Sequence, residues 1–334
     1  MDDLQYGTRN KRGDWAPAAN LELAPFWSWP PKPSRLLAWV KGYVWPWNLV
    51  FMVVTLVWWQ FVVPDIETLR TLAWGWVLKL LAANWIGIFL FFGFFELRYY
   101  RQRVQERRFK YNHKFPAEQP SDVFWFRSQN IDNFLRSFFV SVPIGTAIEV
   151  LLLQAFANGS ANFVSWSAHP MYLVALTLLA PIVHEVHFYF IHRAIHWGPL
   201  YRWVHSVHHN SVNPSPWSSL SMHPVESTAY FGVMLWTLAL PCNPFLVVYL
   251  FNAAGFGAVV GHIGFDRLEV TEDNGQPSHA YAHYLHHKHF EVNYCDNGFF
   301  PLDKWFGSWH DGSPEGERLM QERFRRKKAR LNAA

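Results

Sequence analysis

Charge and cysteine are scarce in this 334-residue chain. Only 16% of its residues are charged, against roughly 25% in ordinary soluble domains. That deficit argues against a solvated globule and for a bilayer. The two cysteines, Cys242 and Cys295, exclude a disulfide framework and a four-cysteine iron–sulfur set. No CxxCH is present for covalent haem. The first 17 residues, "MDDLQYGTRNKRGDWAP", lack an apolar run, so no cleaved secretory signal is expected. No repeat of fixed period runs through the chain.

What is present is apolar and aromatic. The chain is 51% hydrophobic and 18% aromatic, with 19 Trp and 29 Phe. A mean hydropathy of −0.04 hides the segregation of these residues into blocks. "PPKP" at 30–33 reads as a stiff lead-in to residues 46–63, an uncharged block about one bilayer long at the helical rise. Residues 72–97 form a second block interrupted by Lys79, and the turn "PDIETLR" makes the two a helical hairpin. Blocks at 134–157 and 170–191 follow. A fifth region, 228–260, is long enough for two spans and is divided by "PCNP" at 241–244, because proline stops helices.

Charge placement sets orientation. Seven basic residues and one acid lie between Arg98 and Lys114, and the tail carries "RFRRKKAR". These runs sit beside bilayer-length blocks, which favours a membrane surface over nucleic acid as their partner. The turns at 64–71, 157–168 and 241–244 hold one basic residue, Arg70. The positive-inside rule then puts both termini and every basic segment on the cytoplasmic side. The expected fold is an all-α polytopic membrane helical bundle, of four spans plus a hairpin or of six spans, with a cytoplasmic histidine-rich helical cap. Its expected parts are a cytoplasmic N-terminal segment 1–45, transmembrane helices 46–157, a catalytic domain 158–312 with three histidine boxes, and a basic tail 313–334.

Fourteen of the 17 histidines lie between His184 and His289. At about 100° per residue, His192 and His196 of "HRAIH" share a helix face, and Glu185 falls between them in angle. In "HSVHH", His205, His208 and His209 occupy about 100° of arc. In "HYLHH", His283, His286 and His287 do the same, and His279 extends that face if the helix starts near Ser278. His289 falls off it. Such triples direct imidazoles at a shared point, and neutral imidazole suits iron, zinc, copper and nickel. Eight ligands exceed one ion's ordinary coordination, so two ions with four or five ligands each are expected. His223 and His262, at the edge of the fifth apolar region, are further candidates. Isolated His113, His169 and His310 read as surface or satisfied polar residues, and His184 and His187 as supporting ones. "HEVHF" at 184–188 is no HExxH zinc motif, because its second histidine comes one residue early.

With "FYFIHRAIH", "SMHPVE", "GHIGFD", "HYLHHKHFEVNY" and "PLDKWFGSWHDGS", these boxes resemble the fatty acid hydroxylase superfamily, which includes sterol desaturases, sterol methyl oxidases and sphingolipid hydroxylases. The resemblance covers roughly 180–312. It implies a membrane di-iron enzyme that uses O2 to hydroxylate or desaturate a C–H bond of a sterol, fatty acyl or sphingoid lipid. By position it implies metal ligation by His192, His196, His205, His208, His209, His283, His286 and His287, joined by His262, with His223 and His279 as further matches. Glu185 and Asn293 are its implied catalytic-site residues, Glu185 by orienting a ligand imidazole. Asn293 and Tyr294 match the family's "NYG", with Cys295 in place of the glycine. A glycine needing positive φ there would require this loop to be arranged differently.

The chemistry agrees, since an inert C–H bond needs a redox metal and O2 rather than acid–base groups alone. No "HPGG" haem motif or ferredoxin-like cysteine set appears, so electrons are expected from a separate electron-transfer protein or reductase. The lipid substrate would enter from the bilayer. The expected location is the endoplasmic reticulum of a eukaryote or the inner membrane of a bacterium. The competing readings are a zinc-dependent membrane hydrolase with Glu185 as base, and a metal carrier, which would place its ligands near the bilayer midplane.

Overall fold

The computed structural model describes residues 1–116, 119–295 and 298–333. Among them, five helices are long and apolar enough to cross a membrane: α1 Pro33–Phe61, α2 Trp74–Arg101, α3 Gln129–Ala157, α4 Pro170–Ile195 and α7 Phe245–His262. Between α4 and α7 lie the short helices α5 Ser206–His209 and α6 Pro224–Phe231. After α7 come α8 Tyr281–His289 and the basic α9 Pro314–Ala333. Two antiparallel hairpins, Gly7–Arg9 with Trp15–Pro17 and Arg267–Thr271 with Asn274–Pro277, are the small exceptions to an all-helical bundle.

The helices follow their apolar periodicity. On α2 the residues Trp76, Leu80, Asn84, Ile88 and Phe92 are buried at four-residue spacing, while Leu78, Ile86, Leu90 and Phe94 on its other faces are exposed. Exposed leucine and phenylalanine on a long helix are the pattern of a lipid-facing surface, where no hydrophobic penalty applies. Lys79 interrupts the run but reaches back, its Nζ donating to Phe61 O at 2.8 Å. It thereby satisfies an orphan carbonyl at the end of α1. Central to the bundle is α7, buried all round by Val247, Phe251, Ala254 and Val259. Two glycines allow the close approach: a Cβ on Gly87 would sit 2.8 Å from Trp58, and one on Gly145 would sit 2.9 Å from Phe231. A polar knot ties three spans. Trp58 Nε1 donates to Asn84 Oδ1 at 2.8 Å, and Asn84 Nδ2 donates to Thr146 Oγ1 at 3.0 Å and Glu149 Oε2 at 2.9 Å. Such bonds join helices that gain little from the hydrophobic effect in lipid.

Two boundaries differ from the sequence reading. The first span starts at Pro33, and the expected start near 46 coincides instead with a kink at Trp45, φ −107° and ψ 137°, just before Pro46. Region 228–260 holds one helix of spanning length, α7, rather than two. Its first arm is the eight residues of α6 followed by a 3-10 stretch Gly232–Leu238, and its second is α7.

The three turns poor in basic residues meet at one end. Asn158 Nδ2 donates to Arg70 O at 3.2 Å, and the Asn162–Val164 and Cys242 backbones exchange hydrogen bonds at 2.8 and 2.9 Å. At about 1.5 Å per residue, α4 runs from this end for about 33 Å to His192. His262, at the other end of α7, arrives at the same level as the cap.

Candidate metal centre

Nine histidines converge at the end opposite those turns. The last turn of α4 supplies His192, and His196 follows as its C-cap. A wide π-helical turn, Tyr201–His205, runs directly into α5. His205 and His209, four residues apart, share one side, and His208 faces the other. Helix α7 ends on His262, and α8 presents His283, His286 and His287.

These side chains sort into two groups. His192, His196, His205, His209 and His286 form one, and His208, His262, His283 and His287 the other. Within each group the candidate ligand nitrogens all lie within 4.8 Å of one another. The sequence reading sent each triple to a shared point; in the structure both triples divide between two points. Adjacent histidines about 100° apart on a helix cannot face the same way, so His208 and His209 part, as do His286 and His287. The two groups remain neighbours, with the His209 and His287 rings 4.8 Å apart.

The nitrogens face one another closely. His192 Nε2 is 3.0 Å from His205 Nε2, and His286 Nε2 is 3.0 Å from that of His209 and 3.2 Å from that of His196. In the second group, His262 Nε2 is 3.2 Å from His208 Nε2 and 3.3 Å from His283 Nε2, with His287 to His283 at 3.2 Å. In five of these rings the other nitrogen meets an acceptor. His192 Nδ1 donates to Tyr294 O at 2.7 Å, His286 Nδ1 to Val292 O at 2.7 Å, and His262 Nδ1 to Ala258 O at 2.8 Å. His208 Nδ1 donates to Ser221 O at 3.3 Å, and His205 Nδ1 meets Glu226 Oε1 at 2.7 Å. A carbonyl only accepts, so the ring proton sits on Nδ1 and a bare lone pair remains on Nε2. Lone pairs facing at about 3 Å in a buried site repel, unless a cation lies between them. Two nitrogens bound side by side at about 2.1 Å from one ion stand about 3 Å apart. The donor set therefore fits a transition-metal ion in each group.

Burial keeps the imidazoles neutral and ready to ligate. It pushes His208 down to about 3. It pushes His196 down to about 2, helped by the neighbouring His192 and His208. Burial first and adjacent imidazoles second hold His205, His209, His286 and His287 well below the ordinary histidine range. Burial also raises the Glu226 carboxyl well above its usual range. A cation bound by His205 would oppose that shift by favouring the carboxylate.

Four expected residues stand elsewhere. His223 caps α6, its Nδ1 accepting from Val225 N at 3.2 Å, and belongs to neither group. His279 is exposed at φ +65° ahead of α8, which starts at Tyr281, so it does not extend the ligand face. Glu185 stands on α4 two turns before His192. Its carboxylate accepts from Phe299 N at 2.7 Å and Phe300 N at 3.1 Å and so holds that loop. Asn293 points at backbone, its Oδ1 accepting from His310 N at 2.8 Å and its Nδ2 donating to His310 O at 2.9 Å. It braces the loop whose carbonyls orient His192 and His286. Positive φ in the loop after the last box falls on Phe290, at +63°, and Asn293, at +48°, and Cys295 is not among the residues of positive φ, so cysteine fits where the family has glycine.

The sequence reading missed Glu226 and Asp303. Glu226 stands at the third position of α6, where an acid reads as a helix cap, and its partner His205 is 21 residues away. Asp303 accepts from Tyr294 N at 2.9 Å and Cys295 N at 3.0 Å. A third cluster, His289, His310 and Glu317, has different chemistry. Gly312 N donates to His310 Nδ1 at 3.0 Å, so the ring proton lies on Nε2, facing Glu317 at 3.5 Å. That nitrogen offers a proton rather than a lone pair.

Residues 177–308 match the model of the fatty acid hydroxylase family. Over 220 residues the chain is 27% identical to the Delta(7)-sterol 5(6)-desaturase ERG3B of Gibberella zeae, an alignment covering 59% of this chain and 64% of that protein. It is 26% identical over 268 residues to the Delta(7)-sterol 5(6)-desaturase erg3C of Aspergillus fumigatus, covering 71% and 77%. It is 32% identical over 140 residues to the methylsterol monooxygenase erg25A of Aspergillus fumigatus, covering 37% and 44%. The chain thus spans less than two thirds of the first and third of these relatives. No solved structure matches it.

Proposed function

This chain belongs to the fatty acid hydroxylase superfamily, and on that premise we propose that it is a membrane-embedded, O2-dependent di-iron oxidoreductase acting on a C–H bond of a sterol-type lipid. The convergence of nine histidines, with Nε2 atoms 3.0–3.3 Å apart within each group, carries the reading. His192, His196, His205, His209 and His286 would hold one iron, and His208, His262, His283 and His287 the other. Bound there, the irons would supply reductive activation of O2, the chemistry that an unactivated C–H bond requires.

The chain's own residues prepare the site. The carbonyls of Tyr294, Val292, Ala258 and Ser221 fix the Nδ1 proton and aim each Nε2. Glu226 holds the proton at His205 Nδ1 and raises the basicity of that ligand. Among the nine, all but His196 are buried, which excludes bulk water from the ligand set. Phe188 stacks on His192 at 4.6 Å and lies one turn nearer the membrane, giving the approach from the bilayer an apolar wall. The substrate enters from lipid, and the positive-inside rule applied to the basic loops supports a cytoplasmic histidine end. A separate electron-transfer protein or reductase supplies the electrons.

A zinc hydrolase would need a general base beside an open metal position. Glu185 engages the backbone of 299–300 and Glu226 engages His205, which favours the oxidative reading. A carrier with ligands at mid-membrane is disfavoured by a histidine cluster at the helix ends. The test is lipid analysis of cells with and without the chain, using His208→Ala as control. A product heavier by one oxygen marks hydroxylation, and one lighter by two hydrogens marks desaturation. Unchanged sterols and acyl lipids in cells making a folded, iron-loaded chain would refute the proposal.

A further inference from the structure

An open cavity of about 560 Å³ lies away from the histidines, where the loop before α3 meets the end of α2. Its lining includes Arg101, Phe126, Arg127, Ser128 and Ile131. Arg101 and Arg127 are 65% and 64% exposed along their side chains. Each meets a carboxylate through Nε, Arg101 with Glu96 at 3.7 Å and Arg127 with Asp122 at 2.8 Å. A guanidinium carries five donors, so one such contact does not exhaust it. The loop is also strained. Phe126 and Arg127 both take left-handed backbone, at φ +53° and +56°, which is a genuine outlier for a bulky residue. Phe126 is nevertheless 77% exposed. A strained backbone that pushes an aromatic ring and a cation outwards, beside a second cation, has the form of a ligand clamp.

The membrane side of the cavity shows what kind of ligand fits. Leu90, Phe94 and Leu97 are exposed on α2 at positions that lead along one face to Arg101. Ile131 and Phe139 are exposed on α3 in the same way. An apolar stripe that ends in two guanidiniums at the helix ends matches an acyl chain with a phosphate at its head.

We propose that this cavity binds the phosphate headgroup of an anionic phospholipid, with its chains along the exposed faces of α2 and α3. The lipid is a resident partner, distinct from a substrate at the histidines. The first turns of α3, which follow its loop, also touch the segment after the second box: Gln129 Nε2 donates to Asn213 O at 3.3 Å, and Ser211 Oγ donates to Asn133 Oδ1 at 3.0 Å. Occupancy would thus steady the chain that carries His208 and His209.

Native mass spectrometry of the full detergent-purified chain tests this. It is offered equal phosphatidylserine and phosphatidylcholine of matched chains, and separately inorganic phosphate. One phosphatidylserine should be retained about thirtyfold better than phosphatidylcholine, as expected for two interfacial cations. The double variant Arg101→Ala/Arg127→Ala should erase that preference, and Arg101→Lys/Arg127→Lys should keep it within about threefold. Arg70→Ala, at the opposite end, should leave it unchanged. Equal retention of the two lipids by the unaltered chain, or a preference that survives in the folded alanine variant, would overturn the site. Displacement of the lipid by millimolar inorganic phosphate would show a site for the free anion and overturn the lipid assignment.

Discussion

The two histidine groups are built differently. The group of five draws its orientation from irregular chain: Val292 O and Tyr294 O, which flank Asn293, aim His286 and His192, and a distant carboxylate, Glu226, aims His205. The group of four is anchored partly in regular helix: His262 Nδ1 bonds to Ala258 O within α7, the most enclosed helix of the bundle, while His208 Nδ1 bonds to Ser221 O in irregular chain. One group is thus tuned by parts that a single substitution can loosen. The other is set in part, through His262, by the packing of the bundle itself. That contrast makes the group of five the place where sequence change should alter metal behaviour without unfolding the protein.

Removing a ligand from each group is the strongest way to break the comparison. His286→Ala and His283→Ala should each abolish lipid oxidation, and each should cut iron content by about half if the groups bind independently. Loss of all iron from either variant would show one coupled centre instead. Glu226→Gln should act on one group alone. It keeps a hydrogen-bond acceptor for His205 but removes the charge, and iron affinity in the group of five should fall by about 10–100-fold. Chelator competition measured alongside the unaltered chain reads this directly. Asn293→Ala should be milder. The loss of its buried bonds to His310 costs about 1–3 kcal/mol of stability, visible as a lower unfolding midpoint with only a few-fold change in iron retention. The smallest effect belongs to His223→Ala and His279→Ala, for which metal analysis should match the unaltered chain.

Much of this was legible in sequence because it depends on local spacing. The boxes from His192 to His287 were readable because helical periodicity fixes which residues share a face, and the apolar blocks were readable because a bilayer fixes their length. What escaped depends on chain meeting chain. The division of "HSVHH" and "HYLHH" between two points requires knowing where α7 and α8 sit. Glu226 looked like a helix cap because its partner arrives from another element, and His223, three residues earlier, drew attention for its type although it only caps α6. Glu185 had the right helical angle for a ligand partner, but the loop at 299–300, more than a hundred residues away, engages its carboxylate.

The most direct measurement is metal analysis of the full-length chain, purified from the membrane without added metal. The account predicts two irons per chain, with imidazole nitrogen as the dominant ligand by X-ray absorption. A single zinc per chain, or a folded chain that never acquires metal in iron-replete cells, would contradict it.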